Sequence, residues 1–128
     1  MDTLCHIRDI QRAIIAYEQK LIREHELTLN EAMLLCSLSR SEQLASGEIA
    51  ELLGLTCSNT SKVISSVEKK RLIRRLLGKK DKRQMYFSLT KEGWQRLDTI
   101  RSKEIALPDE LSRLLEFFEQ KEPYQTNY

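Results

Sequence analysis

A chain of 128 residues, 41% hydrophobic and 31% charged, is long enough for one compact domain, or one domain with arms that need a partner, but not for two full domains. No apolar run nears the roughly 20 residues that cross a bilayer, and the opening MDTLCHIRDI has acids and a histidine where a leader peptide would be apolar, which predicts a cytoplasmic protein away from membranes. The formal net charge is only +2, yet residues 69–83, KKRLIRRLLGKKDKR, hold nine basic side chains and one acid; the rest of the chain is net acidic, and this stretch is a positive field aimed at a polyanion.

Residues 3–24 read as a helix capped by Asp2 or Thr3, with Ile7, Ile10, Ile14, Tyr17 and Leu21 in a heptad-like seam that faces either its own core or a partner chain. Thr28-Leu29-Asn30-Glu31 has capping-box form and opens a second helix with Ala32, Leu35, Cys36 and Leu38 turned inward. A short helix over 46–53 ends at Gly54 in a left-handed turn, and Leu55-Thr56 leads into a helix over 57–70 capped by Thr56. Two helices joined by so tight a turn form a helix-turn-helix candidate. On the second of them, Thr60, Val63, Ile64, Val67 and the stem of Arg71 share one side, while Ser58, Ser61, Lys62, Ser65 and Lys69 share the other. That outer side is small, hydroxylated, basic and free of acids. It suits a major groove about 12 Å wide, whereas an ordinary solvated face mixes Glu with Lys.

Residues 72–77 and 84–89 flank a polar turn and predict a β-hairpin, although the imperfect alternation of Ile73, Leu76 and Leu77 leaves the register open. Thr90 then caps a helix containing Trp94, Leu97 and Ile100, and after Pro108 a stripe of Leu111, Leu114, Leu115 and Phe118, with Phe117 beside it, marks an amphipathic helix that must cover itself with another surface. Cys5, Cys36 and Cys57 are odd in number and lack C-x-x-C spacing, which argues against disulfides and a zinc knot. His6 and His25 lack ligand spacing and read as surface histidines, so no metal or other cofactor is expected. Tyr17, Tyr86 and Trp94 read as core aromatics ahead of pocket walls. No nucleophile–base constellation, phosphate-binding glycine loop or paired-carboxylate motif is present, so the chain does not read as an enzyme.

Residues 44–93, LASGEIAELLGLTCSNTSKVISSVEKKRLIRRLLGKKDKRQMYFSLTKEG, resemble the winged helix-turn-helix of the MarR family of bacterial transcriptional regulators. Helix, turn, recognition helix, wing and closing Leu-Thr-x-x-Gly follow in that family's order, Asp81-Lys82-Arg83 matches its Asp-x-Arg wing signature, and a looser likeness reaches back over 27–38. The resemblance implies a mainly α fold with a small β-wing. It makes the chain a single domain over 1–128: a winged helix-turn-helix over 28–94, dimerisation helices over 1–25 and 95–121, and a flexible tail over 122–128. It implies a homodimeric repressor on a roughly palindromic double-stranded operator, with Arg83 entering the minor groove and Asp81 steadying it through a basic neighbour.

The residue chemistry assigns major-groove contacts to Ser58, Asn59, Ser61, Lys62, Ser65 and Lys69, and wing or backbone contacts to Arg74, Arg75, Lys79, Lys80, Lys82 and Arg83. Where Arg71 stands, members of the family commonly have Gly, so this helix either ends differently or bears a strain of roughly 1 kcal/mol. The family further implies small aromatic anionic effectors, or an oxidant sensed near the N-terminus, for which Cys5 is the candidate; its neighbour His6 projects about 100° away and is a poor activator, and Cys5 reads first as an inert structural thiol. A winged-helix interaction module binding an acidic protein instead of DNA is the alternative.

Overall fold

The computed structural model describes residues 2–78, 81 and 83–120. Lys79, Lys80, Lys82 and the tail 122–128 of the sequence reading lie outside them. Contacts divide the chain into two units, one running Leu29–Lys103 and the other holding the described residues up to Thr28 and from Glu104 onward. The helix after the hairpin therefore belongs entirely with the winged unit, and the division does not cut through it at residue 95.

In the Leu29–Lys103 unit, α2 (Leu29–Ser39) packs against α3 (Ser46–Leu53), α4 (Cys57–Lys69) and α5 (Lys91–Ser102). Neighbours on several sides explain why Leu34, Leu35 and Leu38 are all buried, while Ala32 and Cys36, expected to point inward, are half-buried. Ile49, Ile64, Val67, Leu72, Ile73, Phe87, Leu89 and Leu97 complete this core. A buried Leu or Ile contributes about 2 kcal/mol, so this cluster outweighs any surface ion pair.

Both helices of the helix-turn-helix end in the same motif. After α3, Gly54 at φ 66° donates to Glu51 O and Leu55 donates to Ala50 O; after α4, Arg71 at φ 62° donates to Glu68 O and Leu72 donates to Val67 O. These are the paired bonds of a Schellman turn, which requires a left-handed residue. Gly54 adopts it at little cost, and Arg71 adopts it with strain. The turn also lifts Arg71 off the core side, where a continued helix would have put its stem, and leaves it exposed.

The sheet has the order β1-β3-β2. Strands β2 (Ile73–Leu77) and β3 (Met85–Leu89) form the expected hairpin, and β1 (Leu44–Ala45) adds to β3 through Leu44↔Phe87 and Ala45↔Tyr86. The register pairs Ile73 with Leu89, Arg75 with Phe87 and Leu77 with Met85 on one face, and Arg74 with Ser88 and Leu76 with Tyr86 on the other. Thr90 caps α5 by accepting from Gly93 N at 3.0 Å and donates its hydroxyl to Arg71 O at 2.7 Å. Gly93 sits where any Cβ would strike the Leu72 carbonyl oxygen. Trp94 on α5 is 44% exposed, so it is not the core aromatic its spacing suggested.

In the other unit α1 (Thr3–His25) packs with α6 (Asp109–Gln120). Asp2 caps α1 by accepting from Leu4 N at 3.1 Å. His25 is buried, against the expectation of a surface histidine, whereas His6 is exposed. Burial, with the Glu104 carboxylate nearby, pushes the Tyr17 phenol above its ordinary range and keeps it neutral.

Replacing Gly93 with Ala is expected to cost about 3 kcal/mol, because the obstacle is a backbone oxygen that cannot step aside. Arg71→Gly acts in the opposite direction, raising stability by up to about 1 kcal/mol as the left-handed strain is relieved. Urea titrations with unchanged m-values read both shifts.

Candidate nucleic-acid interface

The core side of α4 is fixed by Thr60, Ile64 and Val67, which leaves Ser58, Asn59, Ser61, Lys62, Ser65 and Lys69 exposed. Thr56 starts the helix by accepting from Asn59 N at 3.1 Å. Ser61, Lys62, Ser65, Ser66 and Lys69 line one shallow depression of about 370 Å³, a floor of hydroxyls between two ammonium groups. Short side chains let a double helix approach closely, and the hydroxyls donate or accept as required.

The acids of this region are held by specific cations. Glu31 of α2 is buried, and its carboxylate accepts from Ser66 Oγ at 2.7 Å and from Lys70 Nζ at 2.9 Å. Lys70 is thereby turned inward and ties the last turn of α4 to α2. Glu68 shows that α4 does carry an acid near its outer side, but Arg75 binds it in two-pronged fashion, Nε to Oε2 at 2.8 Å and Nη2 to Oε1 at 2.9 Å. The same guanidinium lies 5.5 Å over the Phe87 ring. Those hydrogen bonds, and then the charge of Glu68, raise the Arg75 pKa above its ordinary value. Arg75, expected to meet a backbone phosphate, joins α4 to the wing through this pair while its side chain stays half exposed.

Arg74 is exposed, with Nε 3.4 Å from Ser88 Oγ. Gly78 N donates to Gln84 O and Gln84 N to Asp81 O, closing the wing turn, where a Cβ on Gly78 would lie 2.5 Å from Asp81 O. Asp81 Oδ1 accepts from Arg83 N at 3.0 Å and from Arg83 Nε at 3.4 Å, while the Arg83 side chain stays 94% exposed. The carboxylate therefore orients the arginine without covering it. Of the residues assigned from sequence, the six on α4 share one face, and Arg74, Arg75, Asp81 and Arg83 share the hairpin. Glu31 was expected only as the acid of a capping box, not as the partner of Ser66 and Lys70, and Glu68 was not recognised; it stands seven positions before Arg75 on another element, a separation that announces no pairing.

Cys57 is exposed at the start of α4, and Cys5 and Cys36 are half-buried. Among the described residues no group of three or more His, Cys, Asp or Glu side chains could hold a metal, and no helix is long and apolar enough to cross a membrane.

A tight helix pair, a hydroxylated and basic outer face whose nearby acid is paired with Arg75, and a basic hairpin define a winged helix-turn-helix protein. Residues 27–85 match the model of the MarR family, whose members are transcriptional regulators and not enzymes, and over that stretch the chain resembles the family. It is 28% identical over 93 residues to the HTH-type transcriptional regulator YwaE of Bacillus subtilis, a match covering 73% of this chain but only 54% of that protein. Among solved structures, the MepR–DNA complex of S. aureus superposes with a TM-score of 0.73 at 18% identity, covering 94% of this chain and 96% of that one. BpsR of Bordetella bronchiseptica, described as a protein whose DNA binding is regulated by 6-hydroxynicotinic acid, gives a TM-score of 0.70 at 16% identity, covering 98% and 95%. At such identities the structural likeness speaks for the fold.

The Glu31–Lys70 pair is unequally buried, with side chains 4% and 35% exposed, so its two halves carry unequal costs when removed. Lys70→Met is expected to cost about 2 kcal/mol, because it strips a cation from a buried carboxylate, and Glu31→Gln about 1 kcal/mol, because Lys70 can turn to water. Equal losses in a double-mutant cycle would contradict this ordering.

Proposed function

We propose that the protein is a homodimeric, sequence-specific DNA-binding regulator, acting as a repressor, with α4 in the major groove and the wing in the minor groove of a roughly palindromic operator. The observation that carries this reading is the outer face of α4: six exposed polar or basic side chains, with the one nearby acid neutralised by Arg75. Arg83, exposed on a narrow ribbon and aimed by Asp81, suits a groove read by width and negative potential. Lys62 and Lys69, with Lys79, Lys80 and Lys82 of the wing sequence, supply phosphate contacts that give affinity without base information.

Support for a dimer comes from apolar surface left open in the α1–α6 unit. Leu4, Ile7, Ile14, Ile15 and Ile22 on α1 are exposed, as are Leu114, Leu115, Phe117 and Phe118 on α6. A two-fold arrangement sets the recognition helices about 34 Å apart, one turn of DNA. An interaction module that grips an acidic protein through the same basic wing is the second reading, and duplex binding in the presence of nonspecific competitor separates the two.

If the dimer neutralises about eight phosphates, log affinity falls against log salt with a slope near −7, and a salt-insensitive interaction sinks the reading. Glu68→Gln removes an acid and releases Arg75, so tighter binding and a slope steeper by about one unit per protomer are expected. Light scattering on a gel-filtration peak should give twice the chain mass, and a monomer at micromolar concentration would count against the dimer.

A further inference from the structure

Cross-strand partners share a face of the hairpin, and on one face each pair but the last is occupied. Ile73 and Leu89 are buried in the core, and Arg75 stacks over Phe87 while gripping Glu68. The outermost pair, Leu77 and Met85, is 61% and 37% exposed. Two apolar side chains thus stand side by side directly before the wing turn, at the position where a solvated hairpin end is ordinarily polar. The end of the hairpin that carries them also carries Arg83, the sequence of the turn adds Lys79, Lys80 and Lys82, and Glu48 and Glu51 line the same depression as Met85 and Arg83.

We propose that Leu77 and Met85 form an apolar foot that packs on the deoxyribose wall of the DNA minor groove beside Arg83. The inference rests on the DNA-binding reading and adds the sugar as a recognised group. The charge around the pair selects the occupant. A second copy of so basic a hairpin would be repelled, whereas DNA presents phosphates outside and the C–H edges of C1′, C4′ and C5′ within, so charge and apolar area are matched together. Met85, unbranched and polarizable, adapts to a wall whose width varies with sequence. The foot gives the wing a contact insensitive to salt, next to an arginine contact that salt weakens.

The test uses the full chain with Leu77→Thr and Met85→Thr together, a change that keeps strand propensity and charge. Duplex affinity is expected to fall about tenfold with the salt slope unchanged. Hydroxyl-radical cleavage, which attacks sugar C–H bonds facing the minor groove, should lose protection under the wings, while methylation protection of guanine N7 in the major groove persists. Leu77→Ile with Met85→Leu, which preserves the apolar area, should bind as the parent does. Unchanged affinity and unchanged sugar protection in the threonine variant would overturn the proposal, as would loss of binding to anionic vesicles with duplex binding intact. A parent protein that binds no duplex refutes the DNA-binding reading itself, a separate outcome. Should the double variant fail to fold, Leu77→Thr alone, at the more exposed position, is judged by the same two DNA measurements.

Discussion

The relative setting of α4 and the wing depends on one turn, Arg71–Leu72, and the rest of the winged unit depends on how it is held. The Arg71 carbonyl accepts from the Thr90 hydroxyl, the Leu72 carbonyl accepts from Thr90 N at 3.0 Å, and Gly93 leaves room for that second carbonyl to come close. The end of α4, the start of β2, the end of β3 and the start of α5 are thus fastened at one point. Thr90 uses its hydroxyl twice, as donor to Arg71 O and as cap acceptor for Gly93 N, so a single oxygen serves both bonds. The Glu68–Arg75 pair is a second link between α4 and the hairpin, Glu68 standing less than one turn of helix before Arg71.

Against that frame, the basic run is not one feature. Lys70 pairs with the buried Glu31, Arg75 pairs with Glu68 and stacks on Phe87, and Arg83 is held but left open by Asp81. Lys69, Arg71 and Arg74 are exposed and form no ion pair with a described acid. A formal count over 69–83 therefore overstates the outward field, and removing Glu68 changes the net charge as much as adding a lysine would while leaving the Arg75 guanidinium without its carboxylate partner.

Local chemistry was legible in the sequence. Asp2, Thr56 and Thr90 cap where side-chain oxygens precede periodic runs, Gly54 ends α3, and the two faces of α4 separate as the 3.6-residue period requires. What escaped was decided by distant partners. Glu31 meets Ser66 and Lys70 across 35 and 39 positions, β1 is two residues long and carries no alternation, and Leu34 is buried because α2 is covered on more than one side. Trp94 and His25 erred in opposite directions, one exposed and one buried, because residue type fixes an average burial and packing fixes the individual case. The face holding Leu77 and Met85 became visible only once the register was fixed, since a shift of one residue would have sent both to the other side.

The α1–α6 unit poses the converse problem to the winged one. In the winged unit each helix and strand contributes at least one buried residue, whereas α6 buries none and α1 buries Ala13, Leu21 and His25 out of 23 residues. A helix of that length gains little from propensity alone and draws its stability from packing an apolar face. The open isoleucines of α1 and the Phe117–Phe118 pair of α6, in edge contact at 6.0 Å, are the surface from which the proposed dimer would draw that stability. In the proposed dimer, folding of the arms and association of two copies would then be one event, because the contact between copies would complete the core of this unit.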